Sequence, residues 1–238
     1  MEEIQSSPPR DARYWADFTA IFVHLSLVIA IPVSNPGDHW GSTPGVILIV
    51  MELLTIFFHI QYILLFMESE FSLKFFRLHD AESFFAENTN VVKWIEYAAS
   101  ATLGTLALYT SSDAEYNSDI VFLLIALAIS EQTVGFMLDE DFDHTPLRLQ
   151  FIQWISAFLG QIAEFTVVGR AIYASQNPNY AGYWSYVVFW SLFGVWALRN
   201  MIKRNNDESN VPIAEFGYSV LSTTSKSLVF IFTGLHLS

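Results

Sequence analysis

The chain has 238 residues, 53% of them hydrophobic and only 15% charged, with a mean hydropathy of +0.37. That balance exceeds what a soluble domain of this size carries and points to an integral membrane protein. A net charge of -13 with only 11 basic residues excludes a nucleic-acid partner, which needs clustered Lys and Arg, and the lack of cysteine excludes disulfides and thiolate chemistry. The first residues lack the basic stretch and early apolar run of a cleaved signal peptide, so the first helix is expected to stay in the mature protein.

Apolar segments long enough to cross a bilayer occur at about 14–33, 44–67, 91–110, 118–137, 148–174, 181–202 and 213–236. They predict an all-α membrane protein: one seven-transmembrane helix bundle covering residues 1–238. Breaks fall at Pro32 and Asn35-Pro36-Gly37, at Ser111 to Asp113, at Asp139 to Pro146, at Asn177-Pro178 and at Asn205 to Asp207. The longest connection, about 68–90, mixes Phe71, Phe75, Phe76, Phe84 and Phe85 with charges and is expected to lie in the membrane interface.

Orientation follows from counting Lys and Arg by side, because cytoplasmic loops and helix ends carry the excess. Arg10, Arg13, Lys74, Arg77, Lys93, Arg148, Arg199, Lys203 and Arg204 fall on the N-terminal side, and only Arg170 falls on the other. The N-terminus is therefore expected in the cytoplasm and the C-terminus outside, in a surface membrane.

Ionisable residues within the apolar segments are functional candidates, because an unpartnered one is costly in lipid. Lys226 reads as the only lysine deep in any of them. It lies about 20 Å along the last helix, near the middle of a hydrocarbon core about 30 Å thick and beyond the reach of snorkelling. An ammonium there costs at least about 2.5 kcal/mol, so it needs a carboxylate, a water-filled cavity or conversion to a Schiff base with an aldehyde. A Lys–Glu pair that serves only helix packing is the alternative. In the third segment Glu96 and Ser100 share a face, at a depth that brings Glu96 toward Lys226. Glu215, Ser219, Ser222 and Lys226 form a polar stripe on the last helix, with Glu215 about 16 Å from Lys226 and too far to pair with it.

Glu52, Thr55 and His59 share a face of the second segment. By segment position, Glu131 and Glu215 lie toward the inside, Glu96 centrally, and Glu52 and Glu164 toward the outside. Carboxylates and histidines spread in this way suit a proton relay. The alternative is that Glu131 and Glu52, each within about two turns of a helix end, reach solvent.

Two stretches carry a family resemblance. Trp94-Ile-Glu96-Tyr97-Ala-Ala-Ser100-Ala101, with Asn90 six residues before the glutamate, and Gly217-Tyr218-Ser-Val-Leu221-Ser222-Thr-Thr-Ser-Lys226 resemble the third and seventh helices of the heliorhodopsins. The inverted orientation is that family's distinguishing trait, and His24 and His59 fall where the family places single histidines. The resemblance implies all-trans retinal bound covalently to Lys226 as a protonated Schiff base, with Glu96 as its counterion and Ser222 as a hydrogen-bond partner. It also implies a cytoplasmic-side polar cavity of His24, His59, Thr55 and Asn90 that takes up a proton after photoisomerisation. Tyr97, Trp94 and Ser100 belong to the expected cofactor site, with Trp190 and Phe193 as further walls for the polyene. The link at about 34–43 is far shorter than the loop of many family members, which bears on the homodimer that loop would build. Ser130-Glu131-Gln132 and Ile162-Ala-Glu164-Phe165 also depart from the family pattern.

The function expected is a bilayer-embedded light sensor with a slow photocycle, acting on an unidentified signalling partner. It is not expected to be an enzyme, since no HExxH or P-loop pattern occurs. The additional membrane glutamates support a different class of function, light-gated proton transport. A retinal-free membrane scaffold is the third reading.

Overall fold

The computed structural model describes residues 10–34, 38–67, 91–112, 116–140, 145–204 and 211–237. They form α1 (Arg10–Ser34), a short 3-10 turn (Asp38–Gly41), α2 (Thr43–Phe66), α3 (Val91–Thr110), α4 (Ser118–Glu140), α5 (Leu147–Ala174), α6 (Tyr180–Arg204) and α7 (Val211–Leu237), with no strand among the described residues. The expected boundaries hold to within a few residues. Asn90 and the connection expected in the membrane interface lie outside the described residues.

Local chemistry explains where the helices start. The Asn117 side chain accepts from the backbone N–H groups of Asp119 (2.9 Å) and Ile120 (3.3 Å), and Asn179 accepts from Gly182 N–H (2.9 Å), each satisfying a donor that a first turn leaves open. Pro146 immediately precedes α5, where its fixed φ suits a helix entry. Two expected stops did not end their helices. Pro32 lies inside α1, one turn from its end, where the missing N–H removes one hydrogen bond and the chain continues to Ser34. Asp139 belongs to α4 rather than to the loop after it, because its carboxylate is held by Lys93 Nζ (2.8 Å) and Trp94 Nε1 (2.7 Å) on α3.

Each helix packs on its neighbours in the chain, and α7 closes the ring onto α1. Among the described residues six helices are long and apolar enough to cross a membrane, the pattern of a multi-pass integral membrane protein. The exception is α3, which carries Lys93 and Glu96 among alanines and threonines. It touches α2, α4, α5 and α7, so its surface meets protein on most sides and has less need to match lipid. Burial is uneven: 50% of the α2 span and 44% of the α7 span is enclosed, against 17% for α1 and α4. Polar side chains on α2, α3 and α7 therefore face one another in the interior. The apolar core of Leu48, Met51, Leu108, Leu124, Ile172 and Phe230 fills the half of the bundle nearer the C-terminus of α7, with a small cluster of Phe58, Tyr62 and Val92 at the other half.

Candidate functional site

Side chains on a helix lean toward its N-terminus, so Lys226 on α7 reaches back toward the start of α3. There its Nζ donates to Glu96 Oε1 at 2.6 Å, both side chains being 2% exposed. Tyr62 of α2 donates its hydroxyl to the other carboxylate oxygen, Glu96 Oε2, at 2.9 Å, and the Tyr97 ring lies 5.5 Å from Nζ. The carboxylate is thus fixed from two sides. A buried pair needs such additional bonds, since the attraction between its charges barely offsets their desolvation.

Lys226 forms one wall of a cavity between α3, α4, α5, α6 and α7, with an empty volume of about 720 Å³, its open mouth included. Aromatic rings of Trp94, Tyr97, Trp154, Phe158, Trp190 and Phe193 line it. Two glycines allow those rings their places: a Cβ at Gly135 would run into the Trp94 ring, and one at Gly194 would approach Phe158 Cδ2 to 2.9 Å. Ser100 and Ser222 also line the cavity, each with a buried hydroxyl oxygen that has no partner. A slot with aromatic walls, an amine at its side and two unused hydroxyls suits a long apolar aldehyde bound at Nζ, so these residues fit retinal.

A second polar group lies on the α1–α2 side. His59 Nδ1 is 2.9 Å from Asp17 Oδ1, to which Ser219 also donates (3.1 Å), and His24 Nδ1 pairs with Glu52 Oε2. The two imidazoles stack with centroids 6.0 Å apart, and the Nε2 atom of each is buried without a partner. The Tyr62 ring meets His59 edge-on at 6.0 Å, so this group is continuous with the Lys226–Glu96 pair through Tyr62. Sequence reasoning had His24 and His59 together but missed Asp17 and Tyr62. Asp17 lies seven residues into α1, near the start of an apolar run, where a carboxylate passes for an interfacial one. Thr55 does not contribute: its hydroxyl donates to its own helix, at Met51 O (2.9 Å).

The structure corrects several expectations. Lys226 is not the only deeply buried lysine: Lys93, 1% exposed, donates to Asp139 (2.8 Å) and to Glu215 (2.7 Å) and lies 4.8 Å from the Trp94 and Tyr218 ring centres. Counted as a topology charge, it instead ties together the ends of α3, α4 and α7. Glu215 accordingly serves this cluster, and its lack of contact with Lys226 agrees with the spacing. Ser222 lies beside Lys226 in the cavity wall without bonding the pair. Neither Glu52 nor Glu131 reaches solvent, since they are 0% and 8% exposed.

Glu131 and Glu164, expected toward opposite faces of the membrane, come together. Glu131 lies against Gly160 of α5 and meets Glu164 one turn further on. Thr105 of α3 donates to Glu164 Oε1, and the Tyr186 hydroxyl of α6 is 3.0 Å from Thr105 Oγ1. Side-chain length and the helix crossing produce this meeting, and a linear sequence shows neither.

Comparison with protein-family models finds no match, and comparison with curated protein sequences finds none either.

Proposed function

We propose that the chain is a light-sensing membrane protein of heliorhodopsin type, with all seven helices spanning the bilayer, the N-terminus cytoplasmic and all-trans retinal held on Lys226. The observation that carries this reading is the buried Lys226–Glu96 contact at 2.6 Å in the wall of an aromatic cavity. A pair that served only packing would have no reason to leave an apolar cavity beside its nitrogen, where well-packed interiors have few voids. The inverted orientation rests on the distribution of Lys and Arg, eight to one once Lys93 is set aside, and a surface membrane and a signalling partner belong to the same reading.

When bound, retinal supplies light absorption and a change of shape. The protein's own groups do the rest. Glu96, held by Tyr62, keeps a positive charge at Nζ and gives it a fixed direction. Trp94, Tyr97, Trp190 and Phe193 exclude water from the slot. The partnerless Nε2 atoms of His24 and His59, joined to the pair through Tyr62, are acceptors for a proton that leaves Lys226 and Glu96, with Asp17 and Glu52 placed to stabilise the imidazolium that results.

The test is reconstitution. Purified protein mixed with all-trans retinal is expected to gain a visible absorption band that the Lys226→Ala variant lacks. No band in well-folded wild-type protein would leave the pair structural. Light-gated proton conduction is the second reading, favoured by a further buried carboxyl, Glu131, in the same cavity. Voltage-clamped cells separate the two. A light-evoked current that reverses with the proton gradient and disappears in Glu164→Gln supports conduction, and coloured protein without current supports the sensor.

A further inference from the structure

The second buried acid pair poses a donor problem that the first does not. Glu164 is fully buried and Glu131 nearly so, and among the described residues no cationic side chain lies within ion-pair distance of either. From α3 they face Thr105, from α6 Tyr186, and across the cavity from α7 Lys226, whose ammonium is already held by Glu96.

Counting donors decides what the pair needs. Thr105 donates its one hydroxyl hydrogen to Glu164 Oε1, so the Tyr186 hydroxyl donates to Thr105. That chain supplies a single hydrogen to four carboxylate oxygens. Glu131 Oε1 and Glu164 Oε2 are buried with no donor at all, although the two carboxyl groups are within hydrogen-bonding reach of each other. Two ionised carboxylates at that separation repel, and without a cation their burial is prohibitive. A hydrogen between the two orphan oxygens turns mutual repulsion into one strong acid–carboxylate bond and halves the buried charge, leaving a single charge that this bond and the Thr105 hydroxyl hold.

We propose that Glu131 and Glu164 bind one proton between them at neutral pH, forming a proton-storage site inside the bundle. This site is separate from the histidine group on α1 and α2. It closes the α4–α5 contact at Gly160, and through Glu131 it borders the cavity. Proton loss would leave two like charges facing each other across that contact, so its occupancy couples proton binding to the packing of α4 on α5. The inference rests on the acid pair alone and holds whether or not a chromophore binds.

The experiment uses full-length protein in lipid nanodiscs, without retinal, made with carbon-isotope-labelled glutamate. Its infrared spectrum at neutral pH is expected to contain the carbonyl stretch of a protonated glutamic acid. The Glu131→Gln/Glu164→Gln variant, an isosteric pair, is expected to lose that intensity, while Glu52→Gln retains it. Should the double variant not fold, Glu164→Gln is read in the same way, because its amide offers Glu131 a donor in place of the shared proton. Equal protonated-acid intensity in wild-type protein and the variants at Glu131 and Glu164, or none in the wild type at neutral pH, overturns the proposal.

Discussion

The two sides of the bundle treat buried charge in opposite ways. On α1, α2, α3 and α7 every buried acid among the described residues has a base: Glu96 has Lys226, Glu52 has His24, and Asp17 has His59. On α4 and α5, Glu131 and Glu164 have only each other and the hydroxyls of Thr105 and Tyr186. In the first arrangement each acid has a basic nitrogen beside it with which to share a proton or a charge. The second must use a neutral form for at least one member. Distinct roles follow for otherwise identical glutamates, and environment rather than residue type assigns them.

The largest effect expected from breaking this contrast is at Glu96. Glu96→Gln leaves the Lys226 ammonium buried with an amide in place of its carboxylate, and removing one partner of a buried pair costs about 3 to 5 kcal/mol. Chemical unfolding in detergent without retinal measures it. With retinal bound, the same variant is expected to move the absorption band to longer wavelength, because the negative charge that stabilises the resting cation is gone. Glu164→Gln is the control from the other side: its amide donates to Glu131 in place of the shared proton, so a change within about 1 kcal/mol is expected. Similar losses in both variants would mean that the two regions do not differ.

Next in size is His24. His24→Leu leaves Glu52, with no exposed surface, facing an apolar side chain, and an orphaned buried acceptor costs about 1 to 3 kcal/mol. His24→Leu/Glu52→Leu is expected to recover most of that loss, since apolar replacement of a whole buried pair is often neutral. A double variant no more stable than the single one would show that His24 contributes through packing against His59 rather than through its pairing with Glu52.

Much of this architecture was legible in the sequence because it depends on local signals. Helix spans come from apolar run length, and most of the breaks between them from clusters of Asn, Asp, Ser, Gly and Pro. Lys226 and Glu96 stood out because a mid-membrane charge is too costly to leave alone. What failed depended on reach and crossing geometry. Lys93 lies three residues into α3 and looked like a residue that extends to the interface, yet Asp139 and Glu215 enclose it. Glu131 and Glu164 lie at different depths by segment position, yet the crossing of α4 on α5 and the length of the side chains bring them together. Tyr62 gave no signal, because nothing in its segment distinguishes a hydroxyl that finds a carboxylate from one of ten tyrosines in an aromatic-rich chain.

Thr55 supplies the smallest prediction and the finest discrimination. Its place on one face with Glu52 and His59 suggested a cavity residue, but position on a face does not fix where a hydroxyl points. In the structure Thr55 Oγ1 bonds to Met51 O, four residues back, which satisfies the hydroxyl within α2 and leaves nothing for a neighbour. Thr55→Val keeps the shape and removes a bond that merely doubles up on a carbonyl already used by the helix. The expected change in unfolding free energy is therefore below about 0.5 kcal/mol, with no effect on light-driven proton uptake measured by a pH-indicator dye. Slower uptake in Thr55→Val at unchanged stability would place the hydroxyl back among the proton-handling groups and extend the balanced side of the bundle by one member.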